Sequence, residues 1–283
     1  MKSPGWTRWT RRVATALALV GPLVGGSPRA NAQSSERPST VLQAQDAALL
    51  VAGTAGSAAL TLLDTRIAHA FSDTAFHRRH PGFKTAANRA SLVTETALMI
   101  TGGLTYGIAR LRNDDGTADV ALHTTESVAV AAAFIQVIRG ALGRARPYVI
   151  DETGEKINTD PYDFQPLHGF TSYNYRSWPS MHAMASFAAA TALAQEMRRR
   201  DTPHRGLITP ALYVGAAMPA LARMYLDEHW ASDVAMGVFL GVFSGQRVVT
   251  YSHDHPTNRV DRTFLHARMS IGPAGANFSL SPF

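Results

Sequence analysis

Three short stretches of the chain collect residue types that handle anions and protons. In RGALGRARPY, Arg139, Arg144 and Arg146 precede Pro147; in WPSMHAM, Pro179, Ser180, Met181 and His182 open an apolar run; in ARMYLDEHWASDV, Arg223, His229 and Asp233 follow at intervals of six and four. Guanidinium groups present forked donors that match the oxygens of a multiply charged oxyanion. Ser180 after Pro179 is a good helix N-cap, and the amides of Met181 and His182 would then point out of a helix start, a ready anion site. His229 and Asp233, four apart, would share one face of a helix. Asp233 would accept the proton of one imidazole nitrogen and leave the other nitrogen free to attack or to take a proton. Each stretch alone has an ordinary structural reading: arginines against a helix C-terminus, a plain N-cap, a surface ion pair. Together they hold what phosphoryl transfer without a metal requires.

Helices must position these groups. Apolar, small-residue-rich segments run at roughly 46–71, 87–112, 119–143, 180–200, 208–226 and 230–250, with lengths and Ala/Leu/Met content that favour helices. The expected fold is all-α: a bundle of about six helices over 46–255, followed by a tail, 256–283. That tail ends in ARMSIGPAGANFSLSPF and is expected to form a short β-hairpin. The longest uncharged apolar run, 47–63, has 17 residues, the lower edge of a membrane span. Other runs are interrupted by Glu95, by His123 and Glu126, and by Asp233. A soluble or membrane-peripheral domain is therefore expected in preference to embedded helices. Residues 148–178 form a long, polar, aromatic-rich connection, expected to cover the site and set substrate choice.

Residues 1–32 read as a secretory signal, with a basic start, an apolar stretch and an Ala30-Asn31-Ala32 cleavage site, and 33–45 as a polar linker. The chain is then exported, to the periplasm or envelope, after cleavage near Ala32. The signal carries five of the 27 basic residues, so the remainder is almost balanced against 21 acidic ones, which removes the support for a nucleic-acid partner. There is no cysteine, hence no disulfide and no thiolate metal ligand. Neither HDH at 253–255 nor His77 with His80 lies in a recognised metal-ligand frame, and no metal is expected. The sequence leaves oligomeric state open.

The order Arg139-x6-Arg146-Pro147, Pro179-Ser180-Met181-His182, Arg223-x5-His229-x3-Asp233 resembles the three-part signature of the type-2 phosphatidic acid phosphatase superfamily. That superfamily includes bacterial acid phosphatases and vanadium haloperoxidases. The resemblance spans about residues 120–250. It implies that His229 attacks phosphorus, that Asp233 orients its ring, and that His182 protonates the leaving oxygen. It also implies that Arg139, Arg146, Arg223, Ser180 and the Met181 amide hold the phosphoryl oxygens. The substrate would be a phosphorylated lipid or a small phosphate ester, taken up with a membrane surface as a possible partner. No cofactor is implied: vanadate would inhibit, or serve as cofactor on the haloperoxidase alternative. A third alternative is a catalytically impaired anion-binding envelope protein. The chain departs from the pattern at Arg139 (usually lysine), Met181 (usually glycine) and Ala222 (usually serine). Met181 matters most, because a positive φ there would strain any residue but glycine.

Overall fold

The computed structural model describes residues 40–72, 74–150, 153–265, 267–272 and 275–280; the expected signal, 1–32, and most of the linker lie outside them. The fold is all-α, as expected. In chain order the helices are α1 (Asp46–Phe71), α2 (Thr74–Arg79), α3 (Pro81–Ala90), α4 (Glu95–Leu111), α5 (Asp115–Leu142), α6 (His168–Thr171), α7 (Met181–Arg199), α8 (Arg205–Tyr225), α9 (Ala231–Asp254) and α10 (Arg259–Phe264). Two small antiparallel hairpins join them: β1 (Tyr148–Ile150) with β2 (Lys156–Asn158), and β3 (Ala267–Gly272) with β4 (Gly275–Leu280). The second is the hairpin expected of the tail, and β3 lies against α4.

Helix α7 is the axis of the bundle. It packs on α9, α8, α5 and α4, and its alanines let all four approach. One side of it joins Phe187 to Ala216, Ala220 and Met224 of α8 and to Val234 and Val238 of α9. The other joins Met181, Met184 and Ala188 to Val128, Ala131 and Ile135 of α5. A stripe of glycines on α9 makes the closest contact possible. A Cβ on Gly237 would lie 2.4 Å from the Ser180 carbonyl, and one on Gly241 2.4 Å from that of Met184. The start of α7 is thereby pressed against the first turns of α9, and the Ser180 amide donates to the Asp233 carbonyl at 3.0 Å.

The expected helix 87–112 is two helices. Thr94, in an extended conformation, accepts a hydrogen bond from the Ala97 amide and starts α4 with Glu95 in its first turn. The chain reverses through Ser91–Val93, because an N-cap here satisfies amides that a continuous helix would have bonded itself. Helix α5 ends at Gly143, whose φ of 59° is left-handed and whose Cβ position lies 1.8 Å from the Gln165 carbonyl, so no side chain fits.

Among the described residues, four helical segments, 46–79, α5, α8 and α9, are long and apolar enough to cross a membrane. Their outer faces are apolar: Val51 and Leu62 on α1, Phe134 and Val137 on α5, and Leu207 and Val214 on α8 are all exposed. The charges that interrupt two of these runs, His123 and Asp233, turn inward and are at most 2% exposed. They therefore present no charge to the outer surface, and the apolar exterior fits association with a membrane.

Candidate active site

The site lies where the C-terminus of α5, the N-terminus of α7 and the turn between α8 and α9 converge. Arg146, just past α5, is 4% exposed, and its Nη1 donates to the Glu228 carboxylate at 2.7 Å and to the Glu228 carbonyl at 2.6 Å. Its guanidinium lies 3.9 Å from the centre of the Tyr173 ring. Arg223, in the last turn of α8, reaches the same carboxylate at 3.0 Å and donates to the Tyr173 hydroxyl, also at 3.0 Å. Its Nε has no partner. Glu228 and Tyr173 therefore bring together two arginines that are more than 70 residues apart in sequence. Arg139 sits apart from this group. It is half-buried and bonds Gln136 at 2.9 Å, although Arg146 and Tyr173 remain within its electrostatic reach.

Ser180 caps α7 through its backbone; its hydroxyl is buried and has no partner. Met181 is the first helical residue, and it is not among the non-glycine residues with positive φ. The strain that a left-handed conformation would impose is therefore absent. Its side chain does not narrow the site, because it packs beside Val128 and Ile135 in the core. His182 is half-buried, and its Nε2 donates to the Ser91 carbonyl at 3.1 Å, leaving Nδ1 for a ligand. Burial, with the nearby positive charge of Arg223, pulls its pKa down to about 4.

His229 is 4% exposed. Burial, and then the positive charges of Arg146 and Arg223, hold its pKa well below the usual histidine value. It is therefore neutral at pH 7 and able to attack. The expected helical pairing of His229 with Asp233 needs correction. His229 lies in the turn before α9, and the helix begins only at Ala231, because Asp233 folds back to accept the Trp230 amide at 2.8 Å. Nδ1 of His229 stands 3.6 Å from Asp233 Oδ2, beyond hydrogen-bond range.

Asp233 is instead the hub of a buried network. One oxygen takes Arg144 Nη1; the other takes the Ser177 hydroxyl and the Trp230 amide. Arg144, 1% exposed, donates through Nη2 to Asp64 at 2.8 Å and through Nε to the Pro161 carbonyl at 2.8 Å. Asp64, on α1, also accepts from the Ser232 amide at 2.9 Å and from its hydroxyl. Two carboxylates and one guanidinium thus bolt α1, the α5 end and the start of α9 together beneath His229. Two residues of the connection 148–178 hold to this group: Phe164 bridges to Arg144, and the Asn174 carbonyl accepts the Arg146 amide at 3.0 Å. Sequence reasoning missed Asp64, Glu228 and Tyr173 as site residues and left Arg144 out of the site. An aspartate closing a 17-residue apolar run was the one visible sign of Asp64.

Residues 121–256 match the family model of the PAP2 superfamily. A lipid A 1-phosphatase of Porphyromonas gingivalis is 32% identical over 94 residues, which cover 33% of this chain and 20% of that protein. The match thus spans about a fifth of the relative's length, and no solved structure matches the chain. The family match takes in just under half of the chain and covers all three residue groups, from Arg139 to Asp233, that the structure gathers at one end of the bundle, so over this segment the chain is similar to the PAP2 superfamily.

Proposed function

We propose that the chain is an exported, metal-independent phosphatase that removes a phosphoryl group from a lipid phosphate or diphosphate through a phosphohistidine at His229. The observation that carries this reading is a buried histidine kept neutral beside two arginines that converge on one carboxylate, Glu228, where a phosphoryl group would be held. In the first step the His229 nitrogen facing away from Asp233 bonds to phosphorus, the bond to the leaving oxygen breaks, and His182 supplies that oxygen with a proton. Positive charge then develops on the His229 ring, and the Asp233 carboxylate 3.6 Å away is placed to stabilise it. Water, activated by His182, next cleaves the phosphorus–nitrogen bond. Arg146 and Arg223 hold the phosphoryl oxygens, with the unpartnered Ser180 hydroxyl and the Met181 amide at the start of α7. A lipid substrate is favoured over a small soluble ester by the apolar outer faces of α1, α5 and α8 and by the activity of the Porphyromonas gingivalis relative. A panel of phosphatidic acid, undecaprenyl diphosphate and p-nitrophenyl phosphate tests it; hydrolysis of p-nitrophenyl phosphate alone would count against a lipid. Cleavage near Ala32 is checked by sequencing the N-terminus of the exported protein.

His182 must be protonated to act as an acid, and its pKa near 4 makes the protonated fraction fall as pH rises. For a substrate with an alkyl leaving group, kcat/KM is expected to drop by about tenfold per pH unit above that value. For p-nitrophenyl phosphate, whose leaving group needs no acid, the slope flattens. His182→Ala should abolish the difference; parallel profiles for the two substrates in the parent protein would remove His182 from this role.

Glu228 competes with the substrate for both arginines. Glu228→Gln is expected to lower the inhibition constant of inorganic phosphate by about three- to tenfold, a modest effect because the carboxylate is partly solvated. A higher inhibition constant would show instead that Glu228 holds the arginines in place.

A further inference from the structure

At the opposite end of the bundle a second group of histidines and carboxylates converges. His123 lies 16 residues before Arg139 on α5, and Glu196 lies 14 residues after His182 on α7. At 1.5 Å per residue the group sits roughly 20–25 Å along the helices from the site just described. Four helices contribute: Asp119 and His123 from α5, Glu196 from α7, His253 from α9 and Asp261 from α10.

His123 is 2% exposed, and its two ring nitrogens are treated differently. Nδ1 stands 2.7 Å from Glu196 Oε1 and donates to it, which turns Nε2 toward two aspartates. Nε2 is buried, has no hydrogen-bond partner, and points between Asp119 Oδ1 and Asp261 Oδ1, each 3.4 Å away. Asp261 is also 2% exposed, and its Oδ1 is likewise unpartnered, as is Glu126 Oε2 one turn along α5. Ligand atoms of Asp119, His123, Glu196 and His253 all fall within 4.8 Å of one another.

A separation of 3.4 Å is an ion-pair distance, long for an N–H···O bond. It equals the spacing of two ligands on a tetrahedral ion with bonds of about 2.1 Å. The second carboxylate behind the histidine, Glu196, is the outer partner that metal-bound imidazoles characteristically have. Arg200 neutralises part of the charge by pairing with Asp119 and with Glu196 at 3.1 Å, and Arg110 faces the group from α4. Asp119, Glu126, Glu196 and Asp261 still outnumber these two cations. An open cavity of about 470 Å³ beside His123 and His253 gives an ion a way in.

We propose that this end of the bundle is a binding site for a divalent transition-metal ion of the Zn²⁺ type, with His123 Nε2, Asp119 and Asp261 as ligands, and with Glu196, which His253 Nε2 holds at 2.9 Å, orienting His123. The donor set, imidazole with carboxylate, is the one that suits such ions. Because its ligands come from α5 and α10, with α7 and α9 holding the orienting groups, the ion acts on stability and cross-links the helix ends remote from the arginines.

The test uses the untagged full-length chain, stripped with a chelator and titrated with Zn²⁺ in equilibrium dialysis with elemental analysis. One Zn²⁺ per chain is expected, with a thermal midpoint that rises with Zn²⁺ concentration. The double variant His182→Ala/His229→Ala should keep that stoichiometry, which separates this site from the histidines at the other end. Asp119 and His253 are partly exposed, and Asp119→Asn and His253→Ala should each weaken Zn²⁺ binding at least tenfold and shrink the thermal shift while helicity is retained. Failure to bind Zn²⁺ stoichiometrically, or binding that neither variant weakens, overturns the proposal.

Discussion

His229→Ala is expected to lower kcat by at least about a thousandfold and to abolish an acid-labile, base-stable phosphoryl-protein that rapid alkaline denaturing quench traps in the parent. The size follows from what the residue does in the proposed reaction. Without a nucleophile, water must attack phosphorus directly, with no covalent intermediate to split the displacement into two easier steps, and the Asp233 carboxylate cannot take over the attack because it is fully buried and bonded to Arg144, Ser177 and Trp230. KM should change far less, because Arg146 and Arg223 still hold the phosphoryl oxygens. His229 is buried but belongs to a turn rather than to the helical core, so the variant should keep its helicity. Undiminished hydrolysis, or loss of helicity in step with loss of activity, would contradict the assignment.

Asp64→Ala is expected to destabilise the fold by about 3–5 kcal/mol, since removing one carboxylate from a buried charge network strands the donors it satisfied and leaves Arg144 only Asp233 as a charged partner. Arg144 is 1% exposed and divides its Nη donors between Asp64, Asp233 and Ser232; without Asp64, Nη2 has no acceptor and Ser232 loses the carboxylate that binds both its amide and its hydroxyl. A thermal midpoint lower by about 6–20 °C is the corresponding reading for a chain of this size. Activity should fall as well, because Ser232 and Asp233 begin α9 directly after His229. Asp64→Asn retains an acceptor and should recover part of the loss, whereas Asp46→Asn, another buried acid of the same helix, should leave activity near the parent value. Equal loss of activity in Asp64→Asn and Asp46→Asn would show only a general sensitivity of α1.

Much of the fold was legible because local chemistry decides it. The runs of small and apolar residues at 46–71, 119–143, 180–200 and 230–250 became helices with ends shifted by a few residues, and the glycine-centred tail became a hairpin. The run 87–112 misled, because its apolar pattern continues across the turn at Ser91–Val93, and only the Thr94 cap, a choice between competing hydrogen bonds, divides it. The helical pairing of His229 with Asp233 misled for a related reason. Spacing of four is equally satisfied by a turn whose aspartate caps the next helix.

By itself the sequence determined the three anion-handling groups, their order along the chain and the helices beneath them, since residue type, spacing and apolar periodicity are local properties. Only the tertiary structure decided which charges meet. Asp64 reaches Arg144 across 80 residues, Glu228 joins Arg146 to Arg223, and Asp119, His123, Glu196, His253 and Asp261 converge from four helices. Such meetings depend on how closely α7 and α9 pack and on which face each helix turns inward. That outcome is set by burial over the whole bundle, so a charge that breaks an apolar run cannot be assigned a partner until the run has packed.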